Sequence, residues 1–449
     1  MPLSNAELGD ILAEVIPEAK AQWGRNKAMR ANLDGSLAKV WMPEGADSEY
    51  KDLLRKARSP WLRYAARVQA QGLVVDGYSD SGVWGRVWQA SGMDGRQSAL
   101  NEQVTGYGYG YVLTFPSDDG GVFMRPLSVH QTFTWSEDPW SEFADIAVHQ
   151  VSKNPDKWRV FDAEAMYEFK GDPTRPDDVA VTEHPAGVCP VTLIPAMFAM
   201  EGLPESPVLQ GLGAYRRIVD ATFTLQMVQR YAGFPQKWQV GGEIGTDEAG
   251  NSLVRPSVDS ILHSDDPTSK FGNFAAVDMN QVIGAVDKHI QDLAVSTQIP
   301  PHYLLGKVVN LSSDALAATE TAYSRLVSTM RESTGEGYEQ ALRVGAAILG
   351  LSDAASDLES EVHWRDTGVV ALGSASDAVV KFDSVGVPAE YLLRFVPGLT
   401  KAEIESAARS MAERAKSSEA PASGPLDGVV TAAVPAGDID GFTEAGNGG

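Results

Sequence analysis

The chain has 449 residues, 43% of them hydrophobic, and 37 Lys and Arg stand against 60 Asp and Glu for a formal net charge of −23. That length exceeds one ordinary core, so two or three structural regions are expected. So acidic a surface excludes wrapping nucleic acid with its average face, because phosphate binding needs basic patches and no run of five basic residues occurs. The acidity serves solubility or repels polyanions.

The single cysteine, Cys189, excludes an intramolecular disulfide framework and fits a reducing compartment. No apolar run approaches the length of a membrane-spanning helix. The opening MPLSNAELGDILAEV lacks the basic and apolar regions of a signal peptide. It reads as a helix, with Ser4 and Glu7 as a capping box and Leu3 and Leu8 as a hydrophobic staple. A second helical stretch, residues 48–73, is interrupted by Pro60. Residues 85–104 are mixed in character. GYGYGYVLTFPSDDGGVFMRPLSV then reads as strands joined by a turn at Asp118–Gly121, and strand-like alternation continues in DIAVHQVS, KWRVFDAEAMYEF and VCPVTLIPAMFAM. Residues 105–200 are thus a β-rich region on a helical base.

The texture then changes. Val208, Leu212, Tyr215, Val219, Phe223, Met227 and Tyr231 recur at helical spacing. Residues 234–276 are broken by Pro, Gly and Asp, with short strand candidates at KWQVGG and SILHS. A second helix follows, with Met279, Val282, Val286, Ile290 and Leu293 on one stripe and Gln281, Lys288 and Asp292 opposite. Ile299 precedes Pro300 and is biased out of the helical region, so the helix should end there. Ser312 or Ser313 can cap the next helix and Gly335 would end it. Another helix is expected at YEQALRVGAAILG and a strand at EVHWRD, followed by SASDAVVKFDSV. Thr400 and Glu403 form a further capping box with Leu399 and Ile404 as staple. Residues 417–449 carry five acids, no bases and many Gly, Ala and Pro, too little apolar area to order themselves. No repeat of solenoid length recurs.

Signatures of catalysis are missing. Gly306-Lys307 lacks the upstream glycine and the Ser/Thr of a phosphate loop. GYGYGYV reads as a strand lined with Tyr107, Tyr109 and Tyr111 rather than a dinucleotide loop, because no helix follows it. Ser36 and Lys39 form an isolated S-x-x-K without partner motifs. The histidines at 130, 149, 184, 263, 289, 302 and 363 are scattered, and His184 with Cys189 is not a zinc site. No cofactor, metal or catalytic group is expected, which favours a structural protein over an enzyme.

The order of four stretches resembles the portal proteins of tailed bacteriophages, in particular those of phages of actinobacteria. GRVWQASGMDGRQSALNEQVTGYGYGYVLTF is similar to their wing segment. VLQGLGAYRRIVDATFTLQMVQRYAGFPQKW is similar to a first stem helix entering the clip. DLAVSTQIPPHYLLGKVVNLSSDALAATETAYSRL, the most specific of the four, is similar to a second stem helix, tunnel loop and following helix. SASDAVVKFDSVGVPAEYLLRFVPGLTKAEIESAARSMAERA is similar to the approach to the crown.

The resemblance covers roughly residues 5–416. It implies an α+β, mainly helical subunit assembled as a ring, dodecameric in the family, at one capsid vertex. Residues 1–205 would be the N-terminal wing, 206–233 the first stem helix, 234–276 the clip and 277–299 the second stem helix. Residues 300–312 would be the tunnel loop, 313–395 the post-loop helix and C-terminal wing, 396–416 the crown and 417–449 a flexible acidic tail. His302, Tyr303, Lys307 and Asn310 would face DNA from the tunnel loop. Lys307 also reads as an ordinary solvated lysine. Gln281, Lys288 and Asp292 would form the polar face of the stem. Lys237, Glu243, Asp247, Glu248 and Arg255 of the clip would contact terminase or adaptor. The implied partners are double-stranded DNA held non-specifically, a large terminase, major capsid protein, scaffolding protein and a head–tail adaptor. The implied location is the virion, and the host cytoplasm during assembly. Two other readings stay open: a virion or adaptor protein without a DNA channel, and a hydrolase built around His302 and nearby acids.

Overall fold

The computed structural model describes residues 2–37, 39–42, 48–138, 141–233, 237–241, 267–273, 278–306, 313–365, 372–393, 396, 399 and 401–418. The chain divides into two compact units, Met1–Ser374 and Ala375–Gly449. The architecture is α+β.

Helix α1 (Asn5–Leu33) begins at the expected capping box: Glu7 N donates to Ser4 Oγ at 3.4 Å and Ser4 N donates to Glu7 Oε2 at 2.9 Å. Its Leu8, Leu12, Val15 and Ala19 are buried against Val148, Trp158, Val160 and Tyr167 of a sheet. Helices α2 (Ser48–Ala57) and α3 (Trp61–Ala70) are separate, divided at Pro60 as expected. Strand β1 (Val75–Tyr78) follows, then a single turn α4 (Ser81–Val83) that widens into a π-helix at Trp84–Gln89, then α5 (Met93–Tyr107). The mixed stretch 85–104 is therefore helical. Burial of Val87, Trp88, Met93, Leu100 and Val104 in one cluster overrides the weak local propensity of its glycines.

Tyr107 closes α5 and is not a strand residue, which corrects the three-tyrosine reading. The chain turns at Gly108, φ 93°, where an added Cβ would strike the backbone at Pro204 and Glu205. Strand β2 (Tyr109–Pro116) then buries Tyr109 and Tyr111 on one face, their rings 5.5 Å apart. It pairs antiparallel with β3 (Val122–Leu127) through the expected turn, and with β9 (Val191–Pro195).

A second sheet is a meander of β4 (Thr132–Trp135), β5 (Ile146–Lys153), β6 (Asp156–Phe161), β7 (Ala165–Lys170) and β8 (Asp177–Glu183). KWRVFDAEAMYEF is a hairpin rather than one strand. Asp162 Oδ1 turns the chain there by accepting from Glu164 N (2.8 Å) and Ala165 N (2.7 Å). Cys189 is buried, and burial pushes its thiol up to about 12.

A 3₁₀ turn at Pro207–Gly211 leads into α6 (Leu212–Gly233). Strands β10 (Lys237–Val240) and β11 (Lys270–Asn273) pair antiparallel, β10 falling where KWQVGG predicts a strand. SILHS lies outside the described residues. Helix α7 (Met279–Ser296), the one-turn α8 (Pro301–Leu305) and α9 (Ser313–Ile348) follow. Gly335 does not end a helix: α9 is one 36-residue helix that absorbs both expected ones. It is held on each side. Thr334 Oγ1 donates to Pro195 O (2.9 Å), Tyr338 OH donates to Asn101 Oδ1 (2.6 Å) and Glu339 Oε1 accepts from Val362 N (2.9 Å). The first unit ends beyond the short α10 (Ser352–Ala355) and β12 (Val362–Trp364), which pairs with β1.

The second unit contains most of α11 (Leu372–Asp383), then α12 (Ala389–Leu393) and α13 (Lys401–Ser418). Helix α13 starts where the second capping box predicts, although Thr400 itself lies outside the described residues. Among the described residues no helix is long and apolar enough to cross a membrane.

Candidate functional site

The site suggested by sequence is the hairpin of α6 and α7 with the Pro300 turn beyond it. Apolar periodicity makes the pair: Tyr215, Ile218, Val219 and Phe223 of α6 share a buried cluster with Ile290, Leu293 and Ala294 of α7. Gly211 lets the preceding turn approach, because a Cβ there would lie 2.6 Å from Leu293 and 2.8 Å from Thr297. Met279, Val282 and Val286 continue the stripe half-buried, while Gln281 and Lys288 are exposed, as the spacing requires.

Asp292 gathers the charges of the hairpin. Lys288 Nζ is 2.6 Å away on the same helix, Arg217 Nη2 of α6 is 3.4 Å away and His289 Nδ1 is 3.7 Å away. The Lys288 hydrogen bond, helped by Arg217, holds the Asp292 carboxyl below the usual carboxylate range. Arg217 was not singled out from sequence. Its signal was the antiparallel hairpin itself, which sets the start of α6 beside the end of α7.

Helix α7 stops at Ser296, before the prolines. Gln298 takes the left-handed conformation, φ 54°. Its N–H donates to Val295 O (3.2 Å) and Ile299 N donates to Ala294 O (2.9 Å). This pair of bonds with a buried Ile299 is a Schellman closure built without glycine. Gln69 Nε2 of α3 donates to Thr297 O (3.0 Å) and ties the turn down. Pro301 then occupies the first position of α8, where its fixed φ and missing N–H cost nothing. Gly306, φ 62°, closes it. The first part of the expected loop is therefore a helical turn anchored by buried Leu304.

His302 and Tyr303 are half-buried and engaged with α9. Tyr303 OH donates to Glu320 Oε1 at 3.0 Å, and His302 Nε2 lies 3.8 Å from the same carboxylate. Tyr64 OH donates to Tyr303 O (3.1 Å), and Tyr323 OH donates to Val68 O (2.7 Å). Burial, with Glu320 close by, pushes the Tyr303 hydroxyl up to about 12. Glu320 was missed in the sequence because nothing local pairs it with a residue seventeen positions earlier.

Lys307 and Asn310 lie outside the described residues, as do Glu243, Asp247, Glu248 and Arg255. Lys237 pairs through its backbone with Asn273, and its side chain also lies outside the described residues. The structure thus brings Lys288 with Asp292, and His302 with Tyr303. No group of three or more His, Cys, Asp or Glu able to hold a metal occurs among the described residues.

No protein-family model matches the chain. It is 29% identical over 209 residues to the portal protein of Mycobacterium phage L5, covering 44% of this chain and 42% of that protein. It is 28% identical over 163 residues to the portal protein of Mycobacterium phage D29, covering 35% and 34%. The chain therefore matches less than half the length of these curated relatives. Among solved structures, it is similar to a chain of the virion of a native gene transfer agent particle at 15% identity, TM-score 0.48, covering 82% of this chain and 99% of that one. It is also similar to a chain of the neck of the native particle computed with C12 symmetry at 12% identity, TM-score 0.46, covering 82% and 99%. The resemblance carried by the order of sequence segments thus has its counterpart in two mycobacteriophage portal proteins.

Proposed function

We propose that the chain is the portal subunit of a tailed bacteriophage, forming the ring at one capsid vertex through which the genome is packaged and ejected. The observation that carries this reading is the identity with the L5 portal protein over 209 residues. The α6–α7 hairpin supports it as a stem, and the anchored turn at Pro300–Leu305 supports it as the base of a loop.

In this reading, α6 and α7 line the channel, and the turn at Pro301–Leu305, whose Tyr303 is bonded to Glu320, stands at the base of the tunnel loop. His302, Tyr303, Lys307 and Asn310 are the residues offered to DNA, with His302 and Tyr303 also held by Glu320. A net charge of −23 per subunit keeps the walls weakly repulsive, so that phosphates slide rather than stick. Residues 234–276 meet the terminase during packaging and the head–tail adaptor afterwards. The wing meets scaffolding and major capsid protein. The subunit turns over no nucleotide itself.

The test is a packaging assay in a phage carrying this gene. Without the chain, assembled heads should contain no DNase-protected DNA, and supplying the chain should restore it. Heads that fill normally without the chain would refute the proposal.

A further inference from the structure

The charge of the chain is segregated. Residues 20–67 hold eleven Lys and Arg against five Asp and Glu, a net charge of +6, while the remaining residues together carry −29. Part of this island is drawn together in the fold. Arg30 at the end of α1 and Arg63 of α3 share Asp34, at 3.7 and 2.6 Å. The Gly35 turn, φ 79°, sits against the Tyr215 hydroxyl and against Ser59, which lies between α2 and α3. Lys51, Arg55 and Lys56 of α2 are exposed, while Leu53, Leu54 and Ala57 of the same helix face the core.

Trp41 stands out of this surface, 80% exposed, although Val40 and Met42 on either side pack inward. A tryptophan so exposed has the chemistry of an interface anchor, and Leu37 and Tyr64 of the same island are also exposed. The opposite chemistry lies elsewhere in the first unit. The segment after β9 exposes Phe198 (70%) and Met200 (90%) next to Glu201 and Glu205, and residues 176–215 contain five acids and no base.

We infer that the Trp41 surface docks a second copy of this chain, receiving that copy's acidic, apolar segment Phe198–Glu205. The inference rests on the ring reading, since a head-to-tail ring needs two different patches that complement each other, whereas a two-fold dimer needs one that complements itself. Trp41 seats against the adaptable Met200 and Phe198. The open concavity of about 470 Å³ lined by Arg30, Arg63, Tyr107 and His130, with Glu102 also on its wall and within 4 Å of Arg67, offers its two arginines to the margin of the contact. A protein partner fits better than DNA. Aromatic and arginine side chains together are the composition of protein interfaces, and a phosphate backbone offers Trp41 no apolar seat. Arg30, Arg55, Lys56, Arg63 and Arg67 each already lie within 4 Å of a carboxylate of their own chain. That holds them in place and weakens their pull on phosphate and on a partner's carboxylates alike, so the choice of a protein partner rests on Trp41.

The test is native mass spectrometry of the full chain, wild type beside Trp41→Ala and the pair Arg55→Glu with Lys56→Glu, at low and high salt. All three positions are exposed, and circular dichroism checks that the variants fold. The wild type should assemble, each variant should need roughly tenfold more protein to do so, and the deficit of the charge-reversed pair should shrink at high salt, which screens the contact between the two patches. In Trp41→Cys with Met200→Cys, mild oxidation should give a covalent ladder absent from either single variant. Variants that assemble like wild type at both salt concentrations, or a charge-reversal deficit that does not shrink with salt, overturn the inference and leave the ring standing. Assembled double-cysteine protein without a ladder overturns the pairing with Phe198–Glu205. Variants that assemble normally but lose retention of a DNA duplex would reassign the island to phosphate and also overturn it. Wild-type protein that never assembles, even with scaffolding protein added, defeats the ring reading itself.

Discussion

Two stretches of the chain carry the residues that most often stop helices, and they behave differently. At Ile299–Pro301 the helix does stop, and a new turn starts in another direction. At Gly335–Gly337 it does not, and α9 runs through for 36 residues. Proline acts through its own covalent structure, by fixing φ and removing a donor. Glycine only permits a break, and its lack of a side chain can serve closeness instead. A Cβ at Gly337 would lie 3.1 Å from Ile194 Cα and from Leu193 O, and one at Gly345 would lie 2.6 Å from Val87. The glycines of α9 let it approach β9 and the π-helical turn, and the packing gained there keeps them helical. Even at the proline the stop is not proline's alone, since the left-handed Gln298 ends α7 one turn earlier.

The comparison can be tested at four positions. Trp88→Ala should have the largest effect. Trp88 is fully buried, stacks on Trp84 at 4.9 Å and meets Tyr338 edge-on at 5.3 Å. Its loss should cost about 3–5 kcal/mol and raise hydrogen exchange first around Gly335–Tyr338. Loss of exchange protection spread evenly along α9 would mean that this contact does not hold the glycines. Gly337→Val should cost about 1–3 kcal/mol by overpacking against β9, read as a lower urea midpoint. An unchanged midpoint would show that β9 yields easily.

Pro300→Ala should cost under about 1 kcal/mol, because the Schellman turn and buried Ile299 and Leu304 persist without it. A larger loss would return the break to proline alone. Gln298→Gly should have the smallest effect and the opposite sign, a gain of up to about 1 kcal/mol from relief of the left-handed residue. A loss in thermal unfolding would mean that the Gln298 side chain has a role of its own.

Legibility in the sequence followed the same division. Where local chemistry decides, the reading held: the Ser4–Glu7 cap, the division at Pro60, the hairpin turn at Asp118–Gly121, and the stripes of α6 and α7. Where distant contacts decide, it did not. Residues 85–104 read only as mixed until Trp88, Leu100 and Val104 meet Tyr338 and Leu342 of α9. Tyr107 looks like the first of three strand tyrosines until the collision at Gly108 requires a turn. At the candidate site, the exposed face of α7 was legible from periodicity. The Glu320 anchor under His302 and Tyr303, and the Arg217–Asp292 pair across the hairpin, join residues far apart in sequence and leave no local trace.

The central claim is that this subunit closes into a ring around a channel. Electron microscopy of the purified full chain, with native mass spectrometry of the same sample, tests it most directly. The account predicts closed rings with an axial hole, dodecameric or close to it, with mass an integral multiple of 48.1 kDa. Dimers or tetramers without a hole, persisting when scaffolding protein is added, would contradict it.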